Sequence, residues 1–192
     1  MNVVVTDGPV ERMDEYARVP ISFVVRSVLQ VRPIDRGLGG IELAERPVDR
    51  PWIKDYDEAS DRPQRWERRF DVASWRRFTA RAGGELAGGA VVAFDTPGVD
   101  MLEGRRDLAV LWDIRVMPGM RGHGVGTALF RAAAAWAHGR GARWMKIETQ
   151  TLNVAACRFY ARMGAELGSL HRFAYPDLPD EVALYWYLDL TA

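Results

Sequence analysis

The stretch Asp113-Ile114-Arg115-Val116-Met117-Pro118-Gly119-Met120-Arg121-Gly122-His123-Gly124-Val125-Gly126-Thr127 decides how this chain is read. An apolar run from Leu108 to Val116 has the length and β-branched content of a strand buried on both faces. Pro118 and Gly119 interrupt it. A glycine-rich loop follows, then a helical pattern from about Thr127 to His138 with Leu129, Ala132, Ala133 and Trp136 on one stripe. A strand that runs through such a turn into a helix presents backbone N–H groups and the positive end of the helix dipole. Both suit a pyrophosphate. Gly124 and Gly126 lack a Cβ, so backbone can approach the phosphates, and Arg121 adds a formal charge. For His123 the backbone matters more than the ring. The loop alone is also compatible with a plain strand–helix turn, because short glycine motifs recur by chance.

Two other nucleotide loops fit less well. A P-loop needs Lys before Ser or Thr at the helix start, and Gly126 precedes Thr127 here. A dinucleotide fingerprint needs Gly-x-Gly-x-x-Gly, whereas Gly122, Gly124 and Gly126 alternate.

Working outward, Trp144 to Gln150 reads as a further strand. Asn153 is a good N-cap for a helix to Met163, with Gly164 as its C-cap. On that helix Asn153, Cys157 and Tyr160 fall at i, i+4 and i+7 and share a stripe, so a capping amide and a phenol could meet one elongated ligand. The plainer alternative is a cap and a core tyrosine. Two strands around Leu167–Phe173 and Ala183–Leu190 complete the C-terminal part. Upstream, Trp75–Ala82 and Glu85–Phe94 flank Gly83-Gly84 as a hairpin, and Ile21–Val31 reads as a strand. Residues 47–69 mix Pro, Asp, Arg and Trp and read as a long loop with a short helix near Arg65–Arg68. The expectation is one domain over residues 1–192.

The loop and the Asn-to-Tyr helix, with a strand between them, resemble the GNAT N-acetyltransferases over about Leu108 to Ala165. Arg121, Gly124 and Gly126 match that family's glycine loop, and Asn153 and Tyr160 match its later Asn and Tyr. The resemblance implies an α/β (α+β) fold. Its central sheet is mixed and mostly antiparallel, with about seven strands, flanked by helices and splayed between the two central strands. It implies acetyl-CoA as cosubstrate, held by Ile114, Arg115, Val116, Arg121, Gly122, His123, Gly124, Val125, Gly126, Thr127, Asn153 and Tyr160. The pantetheine arm would pair with the backbone of Ile114 and Val116. A backbone N–H near Val116 would meet the oxyanion, and Tyr160 would protonate the leaving thiolate. Asp113 and Glu148 are the candidates for the base that takes a proton from the attacking amine. Either carboxylate could instead hold an ion pair or orient the substrate.

Further patches are similar to the streptothricin acetyltransferases: Pro51-Trp52-Ile53-Lys54-Asp55-Tyr56, Ile147-Glu148-Thr149-Gln150 and Ala183-Leu184-Tyr185-Trp186-Tyr187-Leu188. The implied partner is a small cationic amine, with a protein amine or polyamine as the alternative acceptor. A non-catalytic acyl-CoA-binding module is the alternative of another class. Acidic residues including Asp55, Asp57, Glu58, Asp177, Asp180 and Glu181 are available to rim an acceptor cleft.

Composition narrows the field. The chain has 192 residues, 26 basic and 26 acidic, for a formal net charge of zero, so it lacks the basic excess usual in nucleic-acid binders. Its one cysteine, Cys157, excludes an internal disulfide and a cysteine-rich metal site. No His sits at a recognisable partner spacing for a cysteine nucleophile, and no metal constellation is visible. No apolar run is long enough to span a membrane, and the N-terminus lacks the basic head of a signal peptide. A cytoplasmic enzyme is the expectation, with a homodimer left open.

Overall fold

The computed structural model describes residues 2–58 and 62–192. Among the described residues, nine strands and four α-helices run in the order β1 (Val3–Gly8), α1 (Asp14–Ala17), β2 (Phe23–Pro33), β3 (Ile41–Lys54), α2 (Trp66–Arg69), β4 (Arg76–Ala82), β5 (Glu85–Phe94), β6 (Leu108–Val116), α3 (Val125–Gly139), β7 (Trp144–Gln150), α4 (Val154–Arg162), β8 (Glu166–His171) and β9 (Ala183–Asp189). Seven strands form one sheet in the order β1-β4-β5-β6-β7-β9-β8, and β2 and β3 form a separate ribbon. Within the large sheet the β1/β4, β4/β5, β5/β6 and β8/β9 pairs are antiparallel and the β6/β7 pair is parallel. This mixed, mostly antiparallel sheet of seven strands is the one that the resemblance implied.

The chain divides into two compact units. The first comprises Met1–Ser22, Asp55–Ile147 and Leu188–Ala192, and the second Phe23–Lys54 and Glu148–Tyr187. In the first unit one layer of core is aromatic. Trp66, Trp75 and Tyr16 are buried with Val91, Val110 and Leu102, and Phe70 and Trp112 pack against them. Phe70, Trp75 and Trp112 have ring centroids 5.0–5.5 Å apart. Truncating Trp66 to Ala would cost about 3–5 kcal/mol, as for large-to-small changes in tight cores. On the other face of the sheet α3 buries Val125, Leu129, Phe130, Ala133 and Ala137. Trp136 sits edge-on to Phe78 and Phe94, each with a centroid distance of 6.3 Å.

Gly88 and Gly89 make that packing possible. A Cβ on Gly88 would lie 2.6 Å from the Arg115 carbonyl and 3.2 Å from Val125 and Leu129. A Cβ on Gly89 would lie 2.5 Å from the Tyr16 ring. Adjacent strand residues point to opposite faces, so one glycine admits α3 and the next admits Tyr16.

The second unit carries the ribbon, α4, β8, most of β9 and the end of β7. Residues 47–54, expected as loop, belong to β3. Ribbon strands keep an unpaired edge, which is where proline is tolerated. Pro47 pairs with Ser27, and Pro51 falls in the irregularity between Val25↔Trp52 and Ser27↔Pro47. The short helix expected near Arg65 is α2. Among the described residues no helix is long and apolar enough to cross a membrane.

Candidate active site

β6 changes character along its length. Leu108 to Leu111 are buried and pair with Trp144 to Ile147 of β7, and that ladder ends at Leu111↔Ile147. Pairing with β5 continues to Gly88↔Val116. Just beyond, the Met117 N–H donates to the Ala87 carbonyl at 2.9 Å. Bonded and non-bonded positions alternate along an antiparallel pair. Asp113 and Arg115 are therefore the residues bonded to β5, while Ile114 and Val116 turn their N–H and C=O groups away from it.

The expectation that β6 is buried on both faces holds for its apolar half. In the second half the buried side chains are polar: Asp113 and Arg115. Arg115 Nε and Nη2 grip the two Asp113 oxygens at 2.9 and 2.7 Å. Its Nη1 also donates to the Val19 carbonyl at 3.1 Å and to Asp57 at 3.0 Å. The Tyr16 hydroxyl donates to Asp113 Oδ1, and the guanidinium lies 5.3 Å from the centre of the Tyr16 ring. Burial and then the Asp113 carboxylate push the Tyr16 phenol well above its usual value of 10.0. Arg115 is 1% exposed at its side chain. Burial alone would favour its neutral form, but Asp113 outweighs that and raises it.

The glycine loop closes on the N-terminus of α3. Gly122 and Gly124 have φ of 80° and 85°, and Gly124 is the N-cap. A Cβ at either would meet no atom within 4 Å, so that side of the loop is open. The first helical bond runs from Ala128 N–H to the Gly124 carbonyl at 3.0 Å. The N–H groups of Val125, Gly126 and Thr127 therefore have no acceptor within the helix. Open space beside positive-φ glycines and uncommitted donors at a helix start fit a pyrophosphate. The Arg121 guanidinium donates to the Val116 carbonyl at 3.2 Å and the Ser22 carbonyl at 2.9 Å, and His123 Nδ1 lies 2.9 Å from the Arg121 carbonyl.

The remaining expected site residues belong to the second unit. Asn153 caps α4, its Oδ1 accepting from Ala156 N–H at 3.2 Å. Tyr160 is 5% exposed and edge-packed on Phe159, with a centroid distance of 5.3 Å. Cys157 is buried, with Sγ 3.4 Å from Thr149 Oγ1, and burial raises its thiol above the ordinary range. Glu148 accepts from the Tyr175 hydroxyl and from Gln150 Nε2 at 3.4 Å. Both bonds fall on Oε1. Gln150 Nε2 also donates to the Tyr175 hydroxyl at 2.9 Å. Burial and then Glu148 raise the Tyr175 phenol. Sequence reasoning missed Tyr175 and Tyr16 as partners of the two candidate carboxylates. Each lies far along the chain from its carboxylate, and no local spacing marks it.

A mixed sheet whose parallel strand runs through a glycine loop onto an open helix N-terminus is the arrangement that the resemblance to the CoA-dependent acyltransferases implied. The chain belongs to the acetyltransferase (GNAT) family, whose model matches residues 42–165, and is an acetyl-CoA-dependent N-acetyltransferase. It is 34% identical to a streptothricin acetyltransferase of Escherichia coli over 86% of this chain and 84% of that one. It is 33% identical to a streptothricin acetyltransferase of Streptomyces lavendulae over 83% and 79% of the two chains. The crystal structure of a nourseothricin acetyltransferase is similar with a TM-score of 0.75 and 29% identity, covering 99% of both chains. A Bacillus anthracis str. Ames protein assigned as a streptothricin acetyltransferase, solved with acetyl coenzyme A, gives a TM-score of 0.76 and 26% identity over 98% and 99%. Among the described residues no group of three or more His, Cys, Asp or Glu is placed to hold a metal ion.

Proposed function

We propose that this chain, working as one domain in the cytoplasm, acetylates a primary amine of a streptothricin-type antibiotic and so confers resistance to it. The supporting observation is the extent of the likeness: at 34% identity it takes in 86% of this chain and 84% of the Escherichia coli streptothricin acetyltransferase.

The residues then divide the work. Val125, Gly126 and Thr127 donate their N–H groups to the pyrophosphate, with Gly122 and Gly124 keeping that side of the loop clear and Arg121 and His123 completing it. The outward-facing backbone of Ile114 and Val116 pairs with the pantetheine arm, and Asn153 is assigned to the cofactor as well. The acceptor nitrogen attacks the thioester carbonyl carbon. A C–N bond forms, the C–S bond breaks, and the sulfur leaves with the electron pair. Glu148 Oε2, which takes no bond among the described residues, accepts the proton lost by the amine, and Tyr160 gives one to the thiolate. Asp113 is assigned a different task. Both its oxygens are held by Arg115 and one also by Tyr16, so it braces β6.

Mass spectrometry of streptothricin after incubation with the protein and acetyl-CoA tests the acceptor. The expected product carries one added acetyl group on the β-lysine. Turnover of polyamines or peptide amines with no streptothricin product would replace this acceptor by the alternative.

A further inference from the structure

The second unit carries an open cavity of about 1080 Å³. Its apolar lining includes Leu29, Val48, Leu152 and Val182. Trp52 and Phe173 also line it and are 43% and 79% exposed. Exposed aromatic surface gathered at a cavity is a feature of binding sites. The charged lining is mixed. Arg46 and Arg172 line it together with Asp177, Asp180 and Glu181, and Glu181 is paired with Lys54.

The same wall contains Tyr175, whose hydroxyl is bonded to Glu148. The cavity is thus continuous, through one side chain, with the carboxylate assigned to the reacting amine. Pockets for drug-sized ligands span roughly 300–1,000 Å³. A linear diamine would fill a small part of this one and leave both aromatic faces wet. A ring-bearing body would cover them, and its cationic and polar groups would find carboxylates and guanidinia at the rim.

We propose that this cavity holds the non-reacting body of the acceptor, and that the acceptor is a bulky, ring-bearing polar cation rather than a linear polyamine. Trp52 and Phe173 are its specificity-determining residues. The inference rests on the acceptor reading above and adds where the molecule is recognised. Binding energy from a remote part of a substrate serves to hold the reacting group in place.

The test compares the unaltered enzyme with the double variant Trp52→Ala/Phe173→Ala. Both side chains are exposed, so the variant keeps its core. Steady-state kinetics are measured on streptothricin and on β-lysinamide, and streptothricin binding is measured by calorimetry. The selectivity ratio, kcat/KM for streptothricin over that for β-lysinamide, is expected to fall about tenfold, through KM. That is the effect of losing about 1.4 kcal/mol of aromatic contact. A ratio that stays constant, whether both acceptors weaken together or neither does, overturns the proposal while leaving the antibiotic as substrate. Streptothricin that binds the unaltered enzyme and not the variant, without turnover, keeps the cavity and removes the acceptor reading. Neither binding nor turnover removes both.

Discussion

Tyr16, Asp113 and Arg115 set much of the buried polarity of the first unit. A phenol packed into this site stays protonated far above the pH at which it would ionise in an unfolded chain. The folded state therefore holds a proton that the unfolded state releases. The stability from this arrangement is fully present below the usual phenol value of 10.0 and is lost as pH rises through the higher folded value. Melting temperature is expected to fall more steeply above pH 10 in the unaltered protein than in Tyr16→Phe, measured by calorimetry from about pH 8 to about pH 11.5. Near neutral pH the variant should be less stable by about 1–3 kcal/mol, because Asp113 loses a buried donor. Parallel alkaline profiles would show that Tyr16 does not carry the effect.

Tyr160 is a residue of another kind, since its proposed task is chemical. Tyr160→Phe keeps the ring and its packing on Phe159 and removes the hydroxyl. The expected result is a loss in kcat of roughly ten- to a thousandfold with CoA affinity kept, as for removal of one general acid. Equal kcat in the two proteins would return Tyr160 to the core.

At the scale of elements, β5 is the strand on which the site depends without contributing a reacting group. Its two glycines let α3 settle against the sheet on one face and Tyr16 on the other. Gly88→Ala would set a methyl 2.6 Å from the Arg115 carbonyl, which is backbone and cannot rotate away. Unfolding in urea is expected to show a loss of about 1–3 kcal/mol, the usual cost of overpacking. An unchanged midpoint would mean that β5 and α3 separate at no cost.

These glycines also mark the limit of what the sequence discloses. Gly83-Gly84 is legible because a hairpin turn needs residues of that type at that place, and the hairpin is there, with β4 starting one residue later than read. Gly88-Gly89 look like part of the same strand, and nothing local says what will press on them. The α4 N-cap at Asn153 was legible because capping is a short-range bond. β3 was not, because Pro47 and Pro51 argue against a strand until its partner turns out to be a two-stranded ribbon. For the same reason the loop from Arg121 to Thr127 could be read from spacing, whereas the partners of Asp113 and Glu148 could not. Tyr16 and Asp113 lie 97 residues apart.

For the molecule as a whole, the glycine loop offers a thermodynamic handle that does not depend on the acceptor. A ligand that binds only the folded state stabilises it by about 2.7 kcal/mol at a hundredfold excess over Kd. In a chain of this size each kcal/mol raises Tm by about 2–4 °C, so acetyl-CoA should raise it by roughly 5–10 °C. NAD and ATP should do little, since the loop lacks the Lys of a P-loop and the Gly-x-Gly-x-x-Gly spacing of a dinucleotide site. Gly124→Val then separates the loop's role from general stability. Gly124 sits at φ 85°, which a β-branched residue adopts only with strain, and its missing side chain faces open space. The substitution both twists the N-cap and fills the open side of the loop, where the pyrophosphate is proposed to lie. Its own Tm will drop, so the informative quantity is the ligand-dependent shift, which should largely vanish. A full acetyl-CoA shift in Gly124→Val would place the pyrophosphate elsewhere. A shift with NAD and none with acetyl-CoA would overturn the reading of Arg121 to Thr127 itself.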